Sequence, residues 1–151
     1  MRLKQTYSSR EVARLTGVTA RQLQLWDAGR LLSAAIPSHR TEAGGYTERR
    51  YTPIDVFELL VLAELRRLGF SVASLHSIVR ALREAFGVSL FEATGGGTAV
   101  HLLTNGRDVF ARTVEGQFYS LLDTPTQPLL VIGDERLLKN LSGQIRSKRK
   151  S

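Results

Sequence analysis

Apolar residues recur at helical spacing four times in the first half of the chain, and a capping residue precedes each recurrence. Ser8-Ser9-Arg10-Glu11 is a capping box: the Ser8 hydroxyl accepts from the free Glu11 amide, and the Glu11 carboxylate reaches back. Val12, Leu15 and Thr16 follow at helical spacing, and Gly17 supplies the left-handed conformation that ends a helix. Thr19-Ala20-Arg21-Gln22 is a second box, opening a helix with Leu23, Leu25 and Trp26 that ends near Gly29. Thr52-Pro53-Ile54-Asp55 sets a cap, a proline at the first helical position and an acid in the first turn. The helix it starts carries Val56, Leu59, Leu60, Ala63 and Leu68 and stops at Gly69. Ser71 caps a fourth helix with Leu75, Ile78, Val79, Leu82 and Phe86, stopped by Gly87.

Two other stretches break this period. Between Leu32 and Thr52 the chain is punctuated by Pro37, Ser38, Gly44 and Gly45, with Tyr46 and Tyr51 marking short strands on either side of a turn. That pattern predicts a β-hairpin, or wing, between the second and third helices. After Gly87 the helical period is lost, and Thr94-Gly95-Gly96-Gly97 marks a break. Ala99 to Leu103, the Asn105-Gly106 turn and Val109-Phe110-Ala111 then predict a hairpin. Gln117 to Leu122 reads as a further strand, Pro125 and Pro128 as the ends of a loop, and Leu129 to Ile132 as a short buried strand. Asp134 caps a last helix with Leu137, Leu138 and Leu141, and Ser142-Gly143 precedes a basic tail expected to be disordered. The expected fold class is α+β. Four helices and a wing make a winged helix-turn-helix over residues 1–87, a small β-rich segment follows over 88–141, and the tail occupies 142–151.

Composition narrows the function classes. The 151 residues suit one compact domain or two very small ones, and 42% hydrophobic content is enough for a core. No apolar run spans a bilayer and the first residues lack a signal core, so a cytoplasmic protein without a membrane partner is expected. Zero cysteines exclude disulfides, thiolate metal sites and cysteine nucleophiles. His39, His76 and His101 have no metal-binding spacing and suggest no Ser–His–Asp arrangement, and the glycines at 95–97 lack the Lys-Ser/Thr of a phosphate loop. Neither catalysis nor a cofactor or metal is expected. A net charge of +7 and a pI near 10.4 favour a polyanionic partner, nucleic acid first among them. Residues 1–90 carry 13 basic and 8 acidic residues, and residues 91–151 carry 8 and 6. The last sixteen hold six basic residues and no acid, which suits a weak polyanion arm or a solubilising end.

The first two helices are separated by very few residues. Ala13 is small where the second helix crosses the first, Gly17 permits a sharp turn, and Val12, Val18, Leu23 and Trp26 supply apolar contacts that lock the crossing angle. This is the spacing of a helix-turn-helix.

On these residues Ser8 to Leu82 resembles the MerR family of bacterial transcription regulators. The matching positions are Ser9-Arg10-Glu11-Val12-Ala13, Gly17-Val18-Thr19, Arg21, Leu23, Asp27, Leu31-Leu32, Arg50-Tyr51-Thr52, Asp55-Val56, Leu59, Leu65 and Leu68-Gly69-Phe70-Ser71. The chain departs from many members in having Leu25 for an aromatic residue and Gln24 for a basic one. The stretch from Leu32 to Tyr51 is also longer, and a Gly-rich break replaces the long helix that pairs two subunits.

The resemblance implies that the second helix enters the major groove of duplex DNA. Arg21 and Gln22 are the leading base or phosphate contacts, since Arg pairs with guanine and Gln with adenine, and Thr19 and Gln24 come next. The wing residues Arg40, Tyr46, Arg49 and Arg50 would grip the phosphate backbone. Bland alternatives stand beside these roles. Arg21 could be a solvated helix face, Arg50 could brace the wing by pairing with Asp55 or Asp27, Tyr46 could pack inward, and Trp26 and Tyr51 read better as core.

In the resembling family the C-terminal region senses a ligand or forms the dimer, so an effector or protein partner there is open. Val100, Leu102, Val109, Phe110, Phe118, Leu121 and Leu122 offer more apolar surface than a small domain hides. A homodimer through this segment, matched to a palindromic operator, is the expectation. An architectural or partitioning DNA-binding protein and a protein-recruiting module are the alternatives.

Overall fold

The computed structural model describes residues 4–32, 49–94 and 100–130. The four expected helix starts are all present. Helix α1 runs Ser9–Thr16 behind the Ser8 cap, whose hydroxyl accepts from the Glu11 amide at 3.1 Å, and Gly17 ends it at φ +77°. Helix α2, Ala20–Ala28, starts at Thr19. Helix α3, Pro53–Arg67, starts at Thr52, where Asp55 Oδ2 accepts from the Thr52 amide at 2.9 Å. Helix α4, Val72–Phe86, starts at Ser71 and ends at Gly87. The strand expected at Tyr51 is present, but its partner among the described residues is the N-terminal segment. Strand β1, Tyr7–Ser8, pairs antiparallel with β2, Arg50–Tyr51, bringing Tyr7 opposite Tyr51 and Ser8 opposite Arg50. The rest of the expected wing, with Arg40 and Tyr46, lies outside the described residues.

One face of each helix makes a common core: Val12 from α1, Leu23 and Trp26 from α2, Leu59 and Leu62 from α3, Leu75, Ile78 and Leu82 from α4, with Tyr51 from β2. Leu15, Leu25, Leu60 and Leu68, expected within the apolar pattern, are instead 55, 58, 43 and 45% exposed. Leu15, Leu25 and Leu60 sit off the buried stripes of their helices, and Leu68 lies past the end of α3 as its cap. On α2, for example, Leu23 and Trp26 are three apart and share a face, whereas Leu25 points elsewhere.

The helical part does not stop at Gly87. A fifth helix, α5, covers Leu90–Thr94 and buries Leu90 and Ala93. Ser89 Oγ accepts from the Glu92 amide and Glu92 Oε1 from the Ser89 amide, both at 3.1 Å, so Ser89-Leu90-Phe91-Glu92 repeats the capping-box pattern. Phe91 meets Phe57 edge to face at 5.5 Å, and its amide donates to Glu58 Oε2 at 3.0 Å. Burial pushes the Glu58 carboxyl above the usual carboxylate range.

Four antiparallel strands follow as a meander in the order β3-β4-β5-β6: β3 Val100–Thr104, β4 Val109–Thr113, β5 Phe118–Ser120 and β6 Thr124–Leu129. The expected turn at Asn105-Gly106 is held by Asn105 Oδ1, which accepts from the amides of Arg107 at 2.9 Å and Asp108 at 2.8 Å, with Gly106 at φ +88°. The loop expected between Pro125 and Pro128 is strand β6 instead. Both prolines are tolerated because β6 is an edge strand among the described residues, and an edge strand can spare the ladder N–H that proline lacks. Leu129 and Leu130 are 42 and 91% exposed rather than buried. The strand's continuation to Ile132, the helix after Asp134 and the basic tail lie outside the described residues. The sheet packs on the helices: Val100, Val109, Ala111 and Leu121 join the same core, and Phe86 meets Tyr119 edge to face at 5.1 Å. Much of the apolar surface expected to seek a second chain is therefore covered within this one.

Glu11 makes a test of the first cap possible. The Lys4 ammonium and the Ser8 amide hold its carboxyl down to about 2, from an ordinary 4.5. A depressed carboxyl contributes stability that is present above 4.5 and lost as pH falls towards 2. Glu11→Gln keeps the capping geometry and removes the charge. Thermal melts between these pH values are expected to be flatter for the variant than for the parent; parallel profiles would show that the ion pair does not stabilise the fold.

Candidate nucleic-acid interface

The turn between α1 and α2 is fixed by short-range bonds. The Gly17 amide donates to Ala13 O at 2.9 Å, and the Thr16 hydroxyl donates to Val12 O at 2.7 Å while accepting from the Val18 amide at 3.1 Å. Val18, Leu23 and Trp26, all buried, clamp α2 from below. At its far end the Leu31 amide donates back to Trp26 O at 2.9 Å, across Arg30 in the left-handed conformation at φ +59°. That position normally takes glycine, so α2 is closed by a turn its sequence does not favour. Held at both ends, α2 turns Arg21, Gln24, Leu25 and Ala28 outward. These lie at spacings of three and four, on one face.

The six predicted site residues that the structure describes divide into three groups. Arg21 and Gln24 are exposed, and neither makes a hydrogen bond or ion pair among the described residues. Both are available to an external partner. Thr19 and Gln22 build the helix start: Thr19 Oγ1 accepts from the Gln22 amide at 3.1 Å, and Gln22 Oε1 accepts from the Thr19 amide at 3.0 Å. The Gln22 oxygen is thus committed to the cap, and a bidentate pairing with adenine would require it to let go. Arg49 and Arg50 brace the fold. Arg49 Nε meets Asp27 Oδ2 at 3.1 Å, which ties the approach to β2 onto α2. Arg50 donates to Thr6 Oγ1 at 2.9 Å and to Thr6 O at 3.3 Å, which ties β2 to the N-terminal segment. The bracing role weighed for Arg50 against Asp27 is thus filled by Arg49. Trp26 and Tyr51 are core, as read from the sequence.

Thr19→Ala removes one of the two bonds that start α2. A lost cap of this kind costs about 1 kcal/mol, so the melting temperature is expected to fall by roughly 2–4 °C for a chain of this size. The first turn of α2, which carries Arg21, should fray with it. An unchanged melting temperature would mean that the Thr19 side chain does not hold the helix start.

The sequence profile of a family described as MerR HTH family regulatory protein matches residues 7–90. A protein of Mycobacterium tuberculosis named an uncharacterized HTH-type transcriptional regulator is 28% identical over 127 residues, covering 76% of this chain and 55% of that protein. The HTH-type transcriptional regulator CueR of Vibrio cholerae is 39% identical over 62 residues, covering 41% of this chain and 40% of that protein. A crystal structure of a MerR-family transcriptional regulator from Bacillus cereus aligns with a TM-score of 0.40 at 29% identity, over 50% of this chain and 52% of that one. The chain spans about half the length of the curated relatives it matches. Among the described residues no helix is long and apolar enough to cross a membrane, and no group of His, Asp and Glu is placed to hold a metal ion.

Proposed function

The chain belongs to the MerR helix-turn-helix family of regulatory proteins, and we propose that it regulates transcription by reading duplex DNA through the outward face of α2, as a homodimer on a palindromic operator. The observation that carries this reading is the contrast between the two faces of α2. Leu23 and Trp26 are sealed into the core, while Arg21 and Gln24 project with no partner among the described residues. A rigid helix end bearing an unpaired guanidinium and an unpaired amide supplies the donors and acceptors that distinguish base pairs in a major groove. Thr19 and Gln22 set the angle of the helix start. The +7 charge of the chain adds the sequence-independent attraction to phosphate.

The dimer rests on what the sheet leaves uncovered. Leu103 and Leu129, on the strands that are outermost among the described residues, Leu130 just past β6, and Val114 in the β4–β5 turn are exposed. Apolar side chains on sheet edges favour pairing with another chain. A symmetric pair would present two copies of α2 to two half-sites.

Selection of bound sequences from a random duplex pool tests the function. A regulator of one operator enriches a sequence with two-fold symmetry and prefers it over other DNA by about a thousandfold or more. Uniform binding across the pool would instead mark an architectural protein that coats DNA.

A further inference from the structure

We propose that Leu25 is a specificity-determining residue that reads the 5-methyl group of a thymine in the major groove. The proposal rests on the reading of α2 as the recognition helix and adds to it a base preference. Leu25 is 58% exposed on the same face as Arg21 and Gln24, and nothing among the described residues covers it. It contributes little to the core, which α2 reaches through Leu23 and Trp26. An apolar side chain standing beside an unpaired Arg, on the same exposed face as an unpaired Gln, is poorly suited to water and well suited to a surface that alternates polar and apolar groups.

The edge of an A·T pair in the major groove is such a surface. Adenine offers N7 and N6–H₂ to an amide, and its partner thymine offers a methyl group, the one apolar feature of that groove. Gln24 and Leu25 lie on either side of the Arg21 direction on the exposed face of α2, so an amide and an isobutyl group can meet the two edges of one such pair or of adjacent pairs. Arg21 lies one turn earlier, roughly 6 Å along the axis, which is about two base steps at 3.4 Å each. The expected half-site therefore holds a guanine met by Arg21 and, about two steps away, an A·T pair met by Gln24 and Leu25. Ala28, the next residue on the face, is too short to extend the reading far.

The test uses the full chain and the sequence it selects from a random pool. Each thymine of that sequence is replaced in turn by deoxyuridine, which lacks only the methyl group, and affinity is measured for the parent and for Leu25→Ala. Covering one methyl is worth about fourfold in affinity. One thymine per half-site should show that loss with the parent. Leu25→Ala should bind the unmodified site more weakly by a similar factor, melt at the parent's temperature, and be indifferent to the replacement at that thymine. A selected site that depends on Arg21 but tolerates deoxyuridine everywhere overturns the role of Leu25 and leaves the recognition helix standing. A replacement that weakens parent and variant equally also overturns it. Selection that yields no preferred sequence overturns the recognition-helix reading and the role of Leu25 with it.

Discussion

Arg21→Ala is expected to erase most of the preference for the selected DNA site while leaving the fold as it was. The guanidinium is exposed and makes no bond among the described residues, so the folded chain loses nothing measurable when it is truncated. Melting temperature and far-ultraviolet circular dichroism should match the parent. Binding is another matter, because a bidentate Arg–guanine pair contributes about 1–3 kcal/mol of discrimination, or roughly 5- to 150-fold for each half-site engaged. Binding to unrelated DNA should fall much less, since it draws on the whole basic surface. Anisotropy titrations on the selected site and on a scrambled duplex, at one salt concentration, separate the two effects. A ratio that stays at the parent's value would remove Arg21 from base reading. Equal losses on both duplexes would make it a phosphate contact.

The second large effect concerns α5. Leu90→Ala should destabilise the chain by about 2–5 kcal/mol, the range for emptying a fully buried leucine site. Leu90 is 3% exposed, seated by the Ser89 cap and flanked by the Phe57–Phe91 contact. Shortening the chain makes the same point more severely. A chain ending at residue 87 lacks Leu90 and Ala93 from the core and leaves the half-buried Glu58 without the Phe91 amide. That loss is large against the 5–15 kcal/mol by which folded domains are usually stable. Both truncations lose the sheet, but a chain ending at residue 94 keeps α5 and the Phe91–Glu58 bond and should unfold at a higher midpoint than the shorter one. Denaturant unfolding of both truncations and of Leu90→Ala gives the comparison. Equal midpoints for the two truncations would show that α5 sits on the domain without supporting it.

The helical half of the molecule was legible because its punctuation is local. Ser8, Thr19, Thr52 and Ser71 each satisfy amides of their own first turn, so a capping residue followed by an apolar stripe is sufficient information. The same rule would have found α5, since Ser89 and Glu92 stand at the capping spacing; its five residues are too few to display a period. Strand β6 was hidden by Pro125 and Pro128, which signal a loop unless the strand is known to be an edge, and edge position is a property of the assembled sheet. Part of the exposure pattern of the candidate site was legible. Arg21 and Gln24 were read from their place after a cap and found outward. The split between residues that reach outward and residues that brace was not, because it depends on pairings across the fold. Arg49 finds Asp27, 22 residues earlier in sequence, and Arg50 finds Thr6, 44 residues earlier. Leu25 was grouped with its buried neighbours because it is apolar; only the position of α2 over α1 shows which way it faces.

The most direct measurement is site-specific cross-linking, made simple by the absence of cysteine from the chain. Gln24→Cys places a single thiol on the outward face of α2, and Ser77→Cys places one on the exposed side of α4. Each variant is bound to the selected duplex carrying a tethered thiol on a base edge in the major groove, one position at a time. Gln24→Cys is expected to form a disulfide at one or two adjacent base positions in each half-site, and Ser77→Cys at none. Cross-linking through Ser77→Cys, with none through Gln24→Cys at any position, would contradict the placement of α2 in the groove.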